Sequence, residues 1–77
     1  MNEIDAFVGD IIKQKRREMR LTQEQLGKKV GLSKSTIACY ELGIRGMSLE
    51  VFFRFCDILH LDPYIIQRLV EANIERK

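Results

Sequence analysis

Little in this sequence is equipped for covalent chemistry. It has one histidine, His60, and two cysteines, Cys39 and Cys56, with no C-x-x-C spacing, which falls short of the four ligands of a structural zinc site. Its carboxylates are scattered rather than paired. No glycine-rich loop of the phosphate-cradling kind is visible, and Gly43 and Gly46 sit where turns are needed. No catalytic residue, metal site, cofactor or small-molecule effector is therefore expected. His60 falls near the end of a helix, where capping of carbonyls or contact with solvent is the expected role. No apolar run approaches the ~20 residues of a membrane span, and the start Met1-Asn2-Glu3 lacks the basic and apolar regions of a signal peptide. The expected compartment is the cytoplasm, where both cysteines stay free thiols. No repeat, low-complexity tract or linker interrupts the 77 residues. One domain over residues 1–77 is expected, burying about 60% of its unfolded surface and leaving no room for a separate effector domain.

What is present is an uneven distribution of charge. The net charge is only +2, but Lys13 to Arg45 holds nine Lys/Arg against three Asp/Glu, a local +6, whereas the remaining residues carry −4. A cationic footprint on one part of a small domain suits a polyanion. The plainer reading is a solvated charged face.

The stretch Leu21 to Tyr40, LTQEQLGKKVGLSKSTIACY, reads as two short helices joined by a tight turn. Thr22 can cap the first, with Gln25 completing a capping box and Leu21 and Leu26 forming a hydrophobic staple. Gly31 can supply the positive φ that ends that helix. Ser33 opens the second, with Leu32 and Ile37 as its staple. Leu26, Val30, Leu32, Ile37 and Tyr40 can share a core, which leaves Ser33, Lys34, Ser35, Ala38 and Cys39 outside. An internal glycine costs about 1 kcal/mol relative to alanine, so Gly27 implies a close approach of the two helices.

The flanking sequence supplies three more helices. Helix 1, about residues 3–20, has Ile4, Phe7, Val8, Ile11, Ile12 and Met19 at helical spacings, followed by Lys13, Arg16, Arg17 and Arg20, cations that also suit the negative end of the helix dipole. Helix 4, about residues 49–59, follows the Ser48 cap, with Met47 and Phe52 as a staple; Leu49, Phe52, Phe53, Cys56 and Leu59 are expected in the core. Helix 5, about residues 63–76, has Asp62 as cap, Pro63 at its first position, and Leu61 with Ile66 as a staple. Its apolar residues Ile65, Ile66, Leu69, Val70 and Ile74 exceed what docking on so small a core needs. Tyr64, Val70 and Ile74 are candidates for a dimer interface; the alternative is that all of this surface covers the core.

The motifs LTQEQL, the Gly31 turn, SKSTI, Tyr40-Glu41, Gly43, Arg45 and Ser48-Leu49-Glu50 resemble, in that order, the lambda-repressor-like (Xre, or Cro/cI type) helix-turn-helix DNA-binding proteins over roughly Gly9 to Pro63. The resemblance implies an all-α, five-helix domain with the helix-turn-helix at helices 2 and 3. In that family the arginine matching Arg16 pairs with the glutamate after the helix 3 aromatic, here Glu41. The resemblance places Lys34 and Ser35 nearest to base edges, with Thr36 and Cys39 further along. Gln23 matches a residue that contacts phosphate and braces the first reading residue, and Arg45 matches a basic loop residue that faces phosphate or braces its loop. Ser33, Lys13, Arg17, Lys28 and Lys29 are the other candidates for phosphate contacts. Met47 departs from the family pattern, where proline is usual.

Chemically, Lys34 can donate to guanine O6 or N7, Ser35 can read several bases, and Cys39 can meet a thymine methyl, while phosphate contacts set register only. The expected partner is double-stranded DNA, bound as a homodimer on a roughly palindromic operator. Repression or autoregulation is the expected role, with contact to RNA polymerase or another protein partner left open. The alternative from a different class is a protein-interaction adaptor or antitoxin on the same fold. An adaptor would be expected to carry acidic or apolar residues on helix 3.

Overall fold

The computed structural model describes residues 2–75 and contains five helices and, among the described residues, no strand. They are α1 (Glu3–Glu18), α2 (Gln23–Val30), α3 (Lys34–Leu42), α4 (Leu49–Leu59) and α5 (Pro63–Glu75). Residue 76 of the expected fifth helix lies outside the described residues, as do both ends of the expected 1–77 domain. No described helix is long and apolar enough to cross a membrane.

Local chemistry explains each boundary. The helices begin on side-chain caps: Asn2, Thr22, Ser33 and Ser48 accept from amides of the first turn of α1 to α4, and Asp62 accepts from the Tyr64 amide at 2.9 Å. At Thr22 the capping box is complete, the Gln25 side chain accepting from the Thr22 amide at 2.8 Å. The first four helices also end alike, with an amide reaching back five residues: Leu21 to Arg16, Leu32 to Gly27, Ile44 to Cys39 and Leu61 to Cys56. This closure needs a left-handed residue just before the donor. Gly31 and Gly43 take that conformation readily, while Arg20 (φ 58) and His60 (φ 57) adopt it without being glycine. Arg20 therefore closes α1, which stops at Glu18 instead of running to residue 20. His60 ends α4 through its backbone, and its ring is exposed.

The core is built from Ile12, Leu26, Val30, Ile37, Tyr40, Phe55 and Leu59, drawn from α1 to α4. Partly buried residues at the helix entries and exits, among them Met19, Leu21, Leu32, Met47 and Leu61, pack against it. One expectation needs correction. In α4, Leu49 and Phe53 are not core residues, being 72% and 52% exposed, whereas Phe55 is fully buried. Apolar residues run almost all round the first two turns of α4, so spacing alone does not select the buried strip. The Tyr40 ring selects it, meeting Phe55 edge-on with centroids 5.9 Å apart, a favoured aromatic geometry. Among the described side chains of α5 only Ile66 is buried, while Ile65, Leu69 and Ile74 are about half exposed.

Glycine sets how closely the helices approach. A Cβ on Gly9 would lie 2.1 Å from the Tyr40 carbonyl oxygen, and one on Gly27 would lie 2.4 Å from that of Leu32. The close neighbour of Gly27 is thus the turn after α2 rather than the body of α3. Gly9→Ala should therefore destabilise the fold by about 2 kcal/mol net, since overpacking against rigid backbone, about 3 kcal/mol, exceeds the ~1 kcal/mol gained from helix propensity. Urea unfolding followed by circular dichroism measures this, and an unchanged midpoint would show that α1 and α3 separate at little cost.

Candidate nucleic-acid interface

The hydroxyls of Ser33, Ser35 and Thr36 cluster at the start of α3. Ser33 Oγ accepts from the Thr36 amide at 3.2 Å, lies 2.9 Å from Thr36 Oγ1 and 3.3 Å from Ser35 Oγ. Ser33, Lys34 and Ser35 are exposed, and Thr36 and Cys39 are half-buried further along the helix. A hydroxyl both donates and accepts, so this end of α3 can meet either kind of base-edge group. It is also a helix N-terminus of nine residues, where free amides and the dipole favour anions.

A buried charge network fixes the other end of α3. Arg16 Nε donates to Glu41 Oε2 at 2.6 Å and Arg16 Nη2 donates to Glu41 Oε1 at 3.1 Å. Arg16 Nη1 donates to the Leu21 carbonyl at 2.7 Å, and Gln23 Nε2 donates to Glu41 Oε1 at 3.1 Å. Both charged residues are buried, Arg16 at 8% and Glu41 at 6% exposure, and no buried side-chain polar atom among the described residues is left without a partner. The two-pronged geometry is the strong form of an arginine–carboxylate pair. α1, the α1–α2 connection, α2 and α3 thus meet at one ion pair. The Gln23 amide nitrogen gives one of its two N–H donors to this network, which leaves the other for the phosphate contact that the resemblance implies.

The remaining cations divide by partner. Lys28 lies 4.0 Å from Glu24 in an exposed pair one turn apart, an arrangement worth little in water. Lys13, Arg17, Lys29 and Lys34 have no acidic partner among the described residues. Arg17, Lys29 and Lys34 are exposed; Lys13, one turn before Arg17 in α1, is half-buried. The Arg45 guanidinium sits 5.5 Å from the centre of the Tyr40 ring, a cation–π distance that ties the α3–α4 loop to α3 while leaving Arg45 exposed.

One polar contact had no signal in the sequence. Arg54 of α4 donates from Nη1 to the Val30 carbonyl at 3.0 Å, across a separation that no periodicity marks. The two cysteines are free thiols, Cys39 half-buried and Cys56 buried. Burial, with a smaller contribution from Asp62, pushes the Cys56 thiol up, so it serves as a small neutral core residue. No group of three or more His, Cys, Asp or Glu that could hold a metal ion occurs among the described residues.

Two short helices around a tight turn, the second exposing hydroxyl and cationic side chains at its start, define a helix-turn-helix DNA-binding domain. The family model described as helix-turn-helix matches residues 12–66. The chain belongs to this family, the lambda-repressor-like helix-turn-helix proteins, which are DNA-binding transcription regulators. No curated protein and no solved structure matched the chain.

Removing one partner of the buried pair strands the other charge, which costs about 3–5 kcal/mol. Arg16→Ala should lower unfolding stability by about that amount, and the double variant Arg16→Met with Glu41→Leu should lose less than Arg16→Ala alone. Chemical denaturation of wild type and the two variants makes the comparison; a double variant that loses as much as Arg16→Ala, or more, would show that the stranded charge is not what costs stability.

Proposed function

We propose that this protein is a sequence-specific regulator of transcription, a repressor or autoregulating controller, that binds a palindromic operator as a homodimer with α3 in the major groove. The observation that carries this reading is the start of α3, where exposed Ser33, Lys34 and Ser35 stand on a helix anchored at its far end by the buried Arg16–Glu41 pair. A helix that presents side chains to base edges must be held rigidly, because a bidentate or paired base contact tolerates little misplacement. Lys34 and Ser35 read bases nearest the helix start, with Thr36 and Cys39 further along. Ser33, Gln23, Arg45, Lys13, Arg17, Lys28 and Lys29 meet phosphates and set register.

Dimerisation through α5 is supported by the exposure of its apolar side chains, with Tyr64 62% and Ile74 50% exposed and Val70 half-buried beside them. One such domain makes few base contacts, and pairing two on half-sites one helical turn apart multiplies them. The domain works in the cytoplasm, with its occupancy of DNA set by protein concentration.

Selection of binding sites from a random duplex library at near-physiological salt tests the reading. An inverted repeat is expected; recovery of sequence-blind binding alone would move the protein to a protein-interaction role. On the recovered site, Lys34→Ala should cost about 1–3 kcal/mol at one base position. Arg17→Ala should instead weaken all sequences alike and flatten the dependence of log K on log salt by about one. Identical behaviour of the two variants on every duplex would show that α3 is not the reading helix.

A further inference from the structure

The turn between α2 and α3 decides where the reading helix starts, and its own hydrogen bonds do not fully hold it. The Leu32 amide returns to the Gly27 carbonyl at 2.8 Å, and the Gly31 amide donates to the same oxygen. That leaves the Val30 carbonyl, the last of α2, with no backbone partner. A helix end leaves its final carbonyls to be satisfied by side chains, water or ligands. Val30 is only 2% exposed, so water has poor access to it. The Arg54 guanidinium supplies the partner, Nη1 donating at 3.0 Å. The same nitrogen is the nearest neighbour, at 3.8 Å, of the space where a Cβ on Gly31 would stand. Arg54 therefore covers the turn as well as bonding to it. Its Nη2 lies 3.4 Å from Glu50 Oε2, one turn back along α4.

We infer that Arg54 is a positioning residue for DNA reading: from α4 it clamps the end of α2, and so fixes the position of Ser33 and Lys34 at the start of α3. It acts through the turn and not by touching DNA. The inference rests on the DNA-reading function proposed above. A bond from a charged donor to a buried carbonyl is among the stronger hydrogen bonds, and losing it leaves an acceptor unsatisfied. The expected result is a looser turn and a less selective helix, with the overall attraction for DNA unchanged.

Three variants separate the possibilities. Arg54→Met keeps the aliphatic stem over the turn and removes the donors. Arg54→Lys restores one cationic donor, and Glu50→Gln disrupts the ion pair along α4 while leaving the carbonyl contact. Hydrogen exchange read by NMR should show the Gly31 and Leu32 amides of Arg54→Met exchanging about tenfold faster than wild type, with the Ile66 amide of α5 unchanged. Discrimination between the selected operator and a duplex with one changed base pair should fall by about tenfold, and the salt slope should stay the same. Arg54→Lys should recover most of both losses, and Glu50→Gln should resemble wild type.

Wild-type exchange at Gly31 and Leu32 in Arg54→Met would overturn the inference. So would Glu50→Gln reproducing Arg54→Met, which would assign the effect to the ion pair. A uniform loss of affinity with a salt slope smaller by about one would make Arg54 a phosphate contact and overturn it as well. If the wild-type protein selects no sequence at all, the DNA-reading function falls separately, and the exchange measurement still decides whether Arg54 holds the turn.

Discussion

The buried carboxylate of Glu41 is the constraint on which the arrangement of the first three helices depends. Both its oxygens accept from Arg16, and one also accepts from Gln23, so any movement of α3 along its axis breaks bonds to α1 and α2 together. A buried ion pair is weak evidence of net stability, because desolvation offsets much of the attraction. Its effect is directional: a hydrophobic contact at this place would tolerate sliding, whereas two parallel N–H···O bonds do not. The reading end of α3 lies two turns away, and its placement inherits that precision.

Backbone packing reinforces the same joint. Gly9 lets α1 approach the Tyr40 carbonyl, and a Cβ on Gly43 would lie 2.4 Å from the Ala6 Cα. α1 therefore lies against the last turn of α3 at two points close to Glu41. At the opposite end, Gly27 admits the Leu32 carbonyl and Arg54 bonds to that of Val30. α3 is gripped at its end by α1 and led in at its start by α2 and α4, which leaves the exposed side chains of Lys34 and Ser35 free of packing duty. Small hydroxyls suit that position, because they need no packing partner and can satisfy one another in the absence of DNA.

How much of this was legible in the sequence follows from the range of each interaction. Caps and closures act within six residues, and Thr22-Gln25, Ser33, Ser48, Asp62-Pro63 and Gly31 marked their helix ends clearly. Arg20 and His60 did not, since a non-glycine residue in the left-handed region carries no composition signal; α1 therefore ends two residues before its helical pattern does. The inward strip of α4 is illegible for a different reason. With Leu49, Phe52, Phe53 and Phe55 all apolar, periodicity gave no preference, and the choice fell to Tyr40, fifteen residues away in sequence. The meeting of Arg16 with Glu41 came from family resemblance alone. The Gln23 and Arg54 hydrogen bonds depend on tertiary geometry that neither spacing nor resemblance specified.

The chain separates its resources along its length. Basic residues gather between Lys13 and Arg45, while much of the exposed apolar surface falls later, at Leu49, Phe53, Tyr64, Ile65, Leu69 and Ile74. Between the start of α1, the α3–α4 loop and α5 lies an apolar groove of about 210 Å³, lined by Ile4, Val8, Met47, Phe52, Ile66 and Val70. A domain of this size has too little interior to bury all of these side chains, and contiguous apolar surface on a small domain commonly marks a place of association. Under the proposed dimer, each half of the chain would have one task, the first meeting phosphate and base edges and the second meeting another subunit. Association and DNA binding would then be linked by mass action: the operator stabilises the dimer as much as the dimer strengthens binding to the operator, which makes occupancy rise more steeply with protein concentration than a monomer could achieve.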